Sequence, residues 1–513
     1  MTRMIRPLAA LSSLLAVSAA FADEVGYQDL LARLGAAAPT GAGVTCAQVE
    51  ASESAGNYGP NKVDAAFTGV TFNALSGASG NSSHATYVAY NWYGDNLGMA
   101  KGVTLVYLYE AGSFVQSAAL RTGQGVANLP LTPPFNARVF NHSWIGSFGS
   151  TTLDNEANRR ADFAMTRDDT LFICGVNNGV GSALQPLMAC NYNGMSVGLV
   201  SGAHSAGAPP VGIDGQGRMK PEIVAPAEFT SFSTPVVSGA ATLLYETAVT
   251  GSYATNTSRR KGCTVKAALM AGATHSATWQ NQTPASGTSR GITTKPIDPI
   301  YGAGTVNIDR AHRILTADEA VGSATTGGAT TPIALRGWDY EVVTAGYQRH
   351  YLVNIPSDTT ASFTLVWNRD VPSSQLVSGT PPVANLRLEL RQLVGGVPTA
   401  ITGDAGASVF ASGNVVSASA ADNVEHLYVK GLHEGTYLLS VTREDSLSTT
   451  PSSTLAWILE PAPVAGDLNG DFRVDGADLG ALLGNWGFPG ASDLTGDGTT
   501  DGADLGALLG NWG

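Results

Sequence analysis

Between about Val44 and about Leu315, short apolar runs of strand length, GVTLVYLYE and DTLFICGV among them, alternate with stretches whose apolar residues recur at helical spacing, TPVVSGAATLLYETA and TVKAALMAGA. That alternation predicts an α/β domain with a parallel sheet flanked by helices. Around Ser323 to Pro332 the composition turns to Gly, Thr and Ala, and FTLVWNR, LRLELRQL, HLYVKGL and TYLLSVTR follow, each near strand length and bounded by turn residues. They predict an all-β sandwich, with Trp367 and Tyr437 as core aromatics. Within it Asp422 and Glu425 are either calcium ligands or part of a solvated turn. SLSTTPSST precedes a last strand, LAWILE, and PAPVAG reads as a stiff linker. The expected boundaries are 23–322 for the α/β domain, 333–460 for the sandwich, 461–465 for the linker and 466–513 for a tail.

The tail repeats itself. DLNGDFRVDGADLGALLGNWG begins at Asp467 and DLTGDGTTDGADLGALLGNWG at Asp493, so two copies of one supersecondary unit are expected. Oxygen donors fall at loop positions one, three, five, nine and twelve: Asp467, Asn469, Asp471, Asp475 and Asp478, then Asp493, Thr495, Asp497, Asp501 and Asp504. A hard cation such as Ca²⁺ takes such a set. The following DLGALLGNWG would form a short α-helix whose leucines and tryptophan build a small core. With aspartate at position twelve instead of the glutamate of an EF-hand, the two loops resemble dockerin repeats. The resemblance implies bound calcium and a cohesin-like partner module, although Gly476-Ala477 and Gly502-Ala503 stand where dockerins often carry recognition residues.

Charge narrows the partners. The formal net charge is −13 and the 28 basic residues are scattered, which argues against nucleic acid. Arg3 and Arg6, an apolar run, and Ala20-Phe21-Ala22 before Asp23 follow the plan of a cleavable export signal over residues 1–22. The run is shorter than the roughly 20 residues that span a bilayer, so no membrane span is expected after cleavage. Export permits disulfides among the four cysteines; Cys174 with Cys190 is the preferred pair, and Cys46 reads as a buried thiol.

Ser231 opens a run of helical periodicity with Pro235 close behind, which places its hydroxyl at a helix N-terminus, where the dipole favours developing negative charge. A serine hydroxyl needs a neighbouring base before it becomes a nucleophile. Eight histidines are available, and only context selects one. That context is a series of motifs in order: GAGVTCAQVEAS, SSHATYVAYNWYG, GMAKGVTLVYLYEA, ARVFNHSWIG, LFICGVNNG, KPEIVAP, TSFSTPVVSGAATLL and YGAGTVNIDRA. The series resembles the subtilase family of serine peptidases.

By that resemblance Ser231 is the nucleophile, His84 the general base, Glu50 the triad acid and Asn177 the oxyanion donor. Asn178 is expected to be a turn residue. The substrate is a protein or peptide, and catalysis needs no cofactor. Three departures stand out: Glu50 where the family has aspartate, Ala85 after the histidine, and Phe229 before the Thr-Ser pair, the latter two in place of glycine. The stretch from Pro226 to Ser231 is also short, so pocket preference does not transfer. Sedolisins share the fold but use a glutamate base and an oxyanion aspartate; His84 and Asn177 weigh against that mechanism. The alternative from another class is a catalytically silent subtilase scaffold that binds a surface or a complex in a calcium-dependent way.

Overall fold

The computed structural model describes residues 24–134, 137–401 and 413–513. The expected export signal lies outside the described residues. Seven strands, β1 (Cys46–Glu50), β2 (Thr71–Ala74), β3 (Leu105–Glu110), β4 (Val139–His142), β5 (Leu171–Gly175), β6 (Met195–Leu199) and β7 (Ile223–Ala225), form one sheet in the order β2-β3-β1-β4-β5-β6-β7. Every pairing in it is parallel. β1, β4, β5, β6 and β7 are buried along their whole length, as a sheet covered on both faces requires. The covering helices are α1 (Tyr27–Leu34), α2 (Ser83–Trp92), α3 (Thr151–Asp168), α4 (Thr230–Val249), α5 (Gly262–Ala271) and α6 (Ile308–Thr316). α1 is tied to α6 by Arg33, which pairs with Asp309 at 2.6 Å.

The β-rich segment forms two antiparallel sheets. β8 (Arg336–Val342), β9 (Gln348–Ile355), β10 (Thr359–Trp367), β11 (Leu386–Val394), β12 (Val424–Leu432), β13 (Gly435–Arg443) and β14 (Ser452–Pro461) divide into β8-β14-β10-β12 and a second sheet built on β11-β13-β9. Phe363, Leu365 and Trp457 from the first meet Leu388, Leu439 and Val353 from the second in a shared core that also buries Trp367 and Tyr437.

This unit is not a bead on a string. Ile292–Thr293, from the expected α/β domain, pairs with Val416–Ser417 and so joins the second sheet, and α5 lies against β14 and β10, where Ser362 Oγ donates to the Ala271 carbonyl at 2.9 Å. Arg369 crosses to Asp214 at 2.6 Å, and its backbone N–H is held by Asn193.

Three expectations are corrected. All four cysteines are free and buried: Cys174 lies on β5 beside the Asn191 amide, while the Cys190 thiol faces the Gln185 carbonyl, so the proposed pair is not bridged. Asp422 and Glu425 do not form a solvated turn. Both are buried, and burial pushes the Asp422 carboxyl up to about 6, with Ser419 donating to Asp422 and Ser417 and Ser419 donating to Glu425. In the tail, α7 (Gly476–Gly484) and α8 (Gly502–Gly510) pack through Val474, Leu482 and Leu508, whereas Trp486 and Trp512 remain 44% and 48% exposed. The helices end before the tryptophans, which follow the caps Asn485 and Asn511 and leave the core face.

Candidate active site

Glu50 is the last residue of β1 and is fully buried. Its Oε2 lies 2.9 Å from His84 Nδ1. The other oxygen, Oε1, accepts from Gln48 Nε2 at 3.1 Å; Gln48 also donates to the Ala85 carbonyl, and its own oxygen accepts from Tyr93 Oη at 2.5 Å. Gln48 and Glu50 are two residues apart on one strand, so their side chains leave the same face. The glutamate is thus held at both oxygens, and its extra methylene is fixed by a partner on its own strand.

His84 is the second residue of α2, whose first turn is capped by Ser82, the side chain accepting from Ala85 N–H at 3.0 Å. Glu53 adds a second cap: its carboxylate accepts from the backbone N–H groups of Ser83 and His84 and from Ser83 Oγ. Burial alone would lower the pKa of His84, but the charge of Glu50, its hydrogen bond and the charge of Glu53 together outweigh it and raise the pKa above the ordinary imidazole value. Burial raises the pKa of Glu50 against the opposing charge of His84.

Ser231 is the second residue of α4, one place further into the helix than expected. Pro235 therefore falls in the second turn, where its missing N–H strips the Ser231 carbonyl of its helical partner. Ser143, just past β4, supplies a replacement: its Oγ donates to that carbonyl at 2.8 Å. Phe229 N-caps the helix with no side-chain oxygen, and Asn178 does the capping instead, accepting from Thr230 N–H at 2.8 Å and from Thr230 Oγ1 at 3.0 Å. Asn178 is thus a cap for the helix that carries Ser231 and not merely a turn residue. Ser231 Oγ reaches the Ser143 carbonyl at 3.5 Å and makes no hydrogen bond to the imidazole. The Phe232 ring, one residue on, lies 6.0 Å from that of His84.

Asn177 follows β5, its backbone N–H on Ser205 Oγ and its side-chain amide donating to the Ala183 carbonyl at 3.2 Å. Ser231 and Asn177 line one cavity of about 40 Å³ together with Ser143, Trp144, Ile145, Gly175, Val176, Asn178 and Thr230. The structure thus brings Glu50 to His84 and Ser231 to Asn177, and Phe232, the residue after Ser231, has its ring near that of His84. Gln48, Glu53, Ser143 and Tyr93 were not singled out by the sequence; the QVE spacing on a strand is the one signal that could have found Gln48.

No family model and no curated protein matches this chain. Among solved structures it is similar to the prenylagaramide maturation protease PagA, with 20% identity over 57% of this chain and 99% of that one and a TM-score of 0.38. MycP1 with its N-terminal propeptide removed gives 18% identity, 58% and 96% coverage and a TM-score of 0.35. The A-subunit of the AB5 toxin from E. coli gives 14% identity, 57% and 98% coverage and a TM-score of 0.38.

The tail donors suit calcium in kind, being all oxygen. Asp467 accepts from the N–H groups of Gly470, Asp471 and Phe472, and Asp493 from those of Gly496, Asp497 and Gly498. Asp478 and Asp504 reach back to the loop N–H groups and complete capping boxes with Asp475 and Asp501. Among the described residues no three His, Cys, Asp or Glu side chains gather at one point as a metal site.

Proposed function

We propose that this chain is an exported subtilisin-like serine endopeptidase. The observation that carries the proposal is the contact of buried Glu50, at the end of an interior strand of the parallel sheet, with part-exposed His84, whose ring neighbours that of Phe232, the residue after a serine at a helix start whose cavity also holds Asn177. In the reaction Ser231 Oγ attacks the substrate carbonyl carbon and passes its proton to His84 Nε2, while Glu50 holds Nδ1–H and stabilises the imidazolium. The oxyanion is met by the Ser231 N–H, which has no protein acceptor among the described residues, and by the Asn177 amide once it turns from Ala183. As the C–N bond breaks, His84 returns the proton to the leaving amine; water then splits the acyl ester and regenerates Ser231.

The bond from Ser231 Oγ to the Ser143 carbonyl, in place of one to the imidazole, favours a second reading, a silent scaffold. A fluorophosphonate probe separates the two. Labelling that disappears in Ser231→Ala supports the peptidase; purified protein that takes no label while a control subtilase does would falsify it. In the tail, Asp467, Asn469, Asp471, Asp475 and Asp478, and their counterparts Asp493, Thr495, Asp497, Asp501 and Asp504, are proposed to hold one calcium ion per repeat, with docking on a cohesin-like module as the associated role.

A further inference from the structure

The two sides of Ser231 differ in a way that names a substrate class. On the Asn177 side the cavity holds about 40 Å³, room for two or three water molecules. Its inner walls are held, and Ile145, 40% exposed, stands at the rim. Trp144 is pinned by its indole N–H, which donates to His142 Nδ1 at 3.2 Å. Gly175 leaves no space behind it, because a Cβ there would meet Thr234 Oγ1 at 2.8 Å. Ile145 and Val176 close the remainder.

The His84 side is open and aromatic. Phe232 lies 6.0 Å from the His84 ring and 6.0 Å from Tyr87, and Phe229 meets Phe232 edge-on at 6.1 Å while staying 43% exposed. An exposed phenylalanine next to the nucleophile has a face free for a ligand side chain.

The chemistry assigns the sides. The oxyanion belongs to the acyl half of the substrate, so the residue before the scissile bond lies by Asn177; the base returns its proton to the leaving amine, so the residue after the bond lies by His84. We infer that the preferred substrates are peptides with Gly, Ala or Ser before the cleaved bond and an aromatic or large aliphatic residue after it. This rests on the peptidase function proposed above. A phenyl or leucyl side chain overfills the acyl-side cavity, whereas the same groups on the leaving side gain a ring contact.

The test uses the full chain with internally quenched peptides that vary only the two residues flanking the bond, with fluorophosphonate labelling of Ser231 run in parallel. Expected is kcat/KM at least about 100-fold higher with Ala than with Phe before the bond, and about tenfold higher with Phe than with Asp after it. Ile145→Gly, at an exposed rim position, should raise the Leu-to-Ala ratio before the bond about tenfold and leave the other side's ranking alone. Phe229→Ala should flatten only the ranking after the bond. Labelled protein that cleaves best after bulky residues, ignores both positions or cleaves no member of the set overturns the inference while leaving the nucleophile standing. Unlabelled protein overturns the peptidase function and the inference with it.

Discussion

Glu50 at a strand end and the tail aspartates Asp467 and Asp493 in their loops are all carboxylates held by hydrogen bonds, yet they work in opposite ways. Glu50 has no exposure, and its two oxygens are held by side chains, His84 and Gln48, one of which can carry charge. Asp467 and Asp493 are half-exposed, and their oxygens are taken up chiefly by N–H groups of their own loops. Away from water a carboxylate's field acts on its neighbour with little screening; at the surface the same group shapes the local backbone and little else. The first arrangement raises the pKa of a histidine, and the second folds a turn.

The comparison breaks most sharply at Glu50. Glu50→Gln keeps the volume but favours the wrong imidazole tautomer, so kcat/KM should fall by about four orders of magnitude with the melting temperature little changed. Unchanged turnover would remove Glu50 from the site. Glu50→Asp should also lose activity, about 100-fold, because Gln48 and Tyr93 are placed for the longer acid and the shift is of the order of 1 Å. Activity at or above that of the unaltered protein would show that the site is not built around glutamate. A smaller loss, about tenfold, is expected for Tyr93→Phe, which frees the Gln48 carbonyl while leaving the Glu50–His84 contact in place; its measure is kcat at saturating substrate.

Glu53 is the exception to that contrast, a surface carboxylate whose charge still raises the pKa of His84. On the proposed mechanism His84 must be neutral to accept the serine proton, and its pKa is raised, so activity should appear only as pH rises past the ordinary imidazole value. Glu53→Gln keeps acceptors for the α2 N–H groups but removes a charge that favours the imidazolium. The acidic limb of the kcat/KM profile should therefore move to lower pH. A limb that stays where it was, or moves up, excludes the electrostatic part of the role.

The alternation of apolar runs revealed the parallel sheet because strands covered on both faces are mostly apolar, as β5 and β7 are, whereas β4 carries buried Asn141 and His142 and β6 buried Ser196. Motif order led to His84, Ser231 and Asn177 as candidates because each stands at an element start or end that the local pattern marks. Their supporting groups were not legible. Ser143 acts on a carbonyl that Pro235 vacates 92 residues later, and Asn178 caps a helix that begins at Thr230. Such pairs depend on which strand ends lie side by side, which one-dimensional spacing does not encode. The same holds for Ile292–Thr293, whose pairing with Val416–Ser417 blurs the expected domain boundary. In the tail the DGAD spacing did carry the capping boxes, since a cap and its third helical residue are local by nature. The tryptophans misled because helical spacing was extended past the residues that end α7 and α8.

The smallest effect on the rest of the molecule is expected from calcium. The tail core is only Val474, Leu482 and Leu508 with a few half-buried neighbours, too little apolar area to hold two nine-residue helices firmly without a further tie. Bringing the loop carboxylates together without a cation adds repulsion, so metal binding should supply much of the tail's folding free energy. Titration of the full chain should give about two ions per molecule, with affinity between the sensor and extracellular ranges, about 10⁻⁶ to 10⁻³ M. Chelation should open the tail to cleavage by an added protease between Asp467 and Gly513 while the melting of the two larger units stays put. Because Trp486 and Trp512 are already half-exposed in the folded tail, the accompanying change in tryptophan emission should be slight. Failure to bind at millimolar calcium would sink the metal proposal. Strong blue-shifted emission on binding would instead mean that the tryptophans enter a core that the packing of α7 on α8 leaves them outside, and that the calcium-loaded tail has a different helix register.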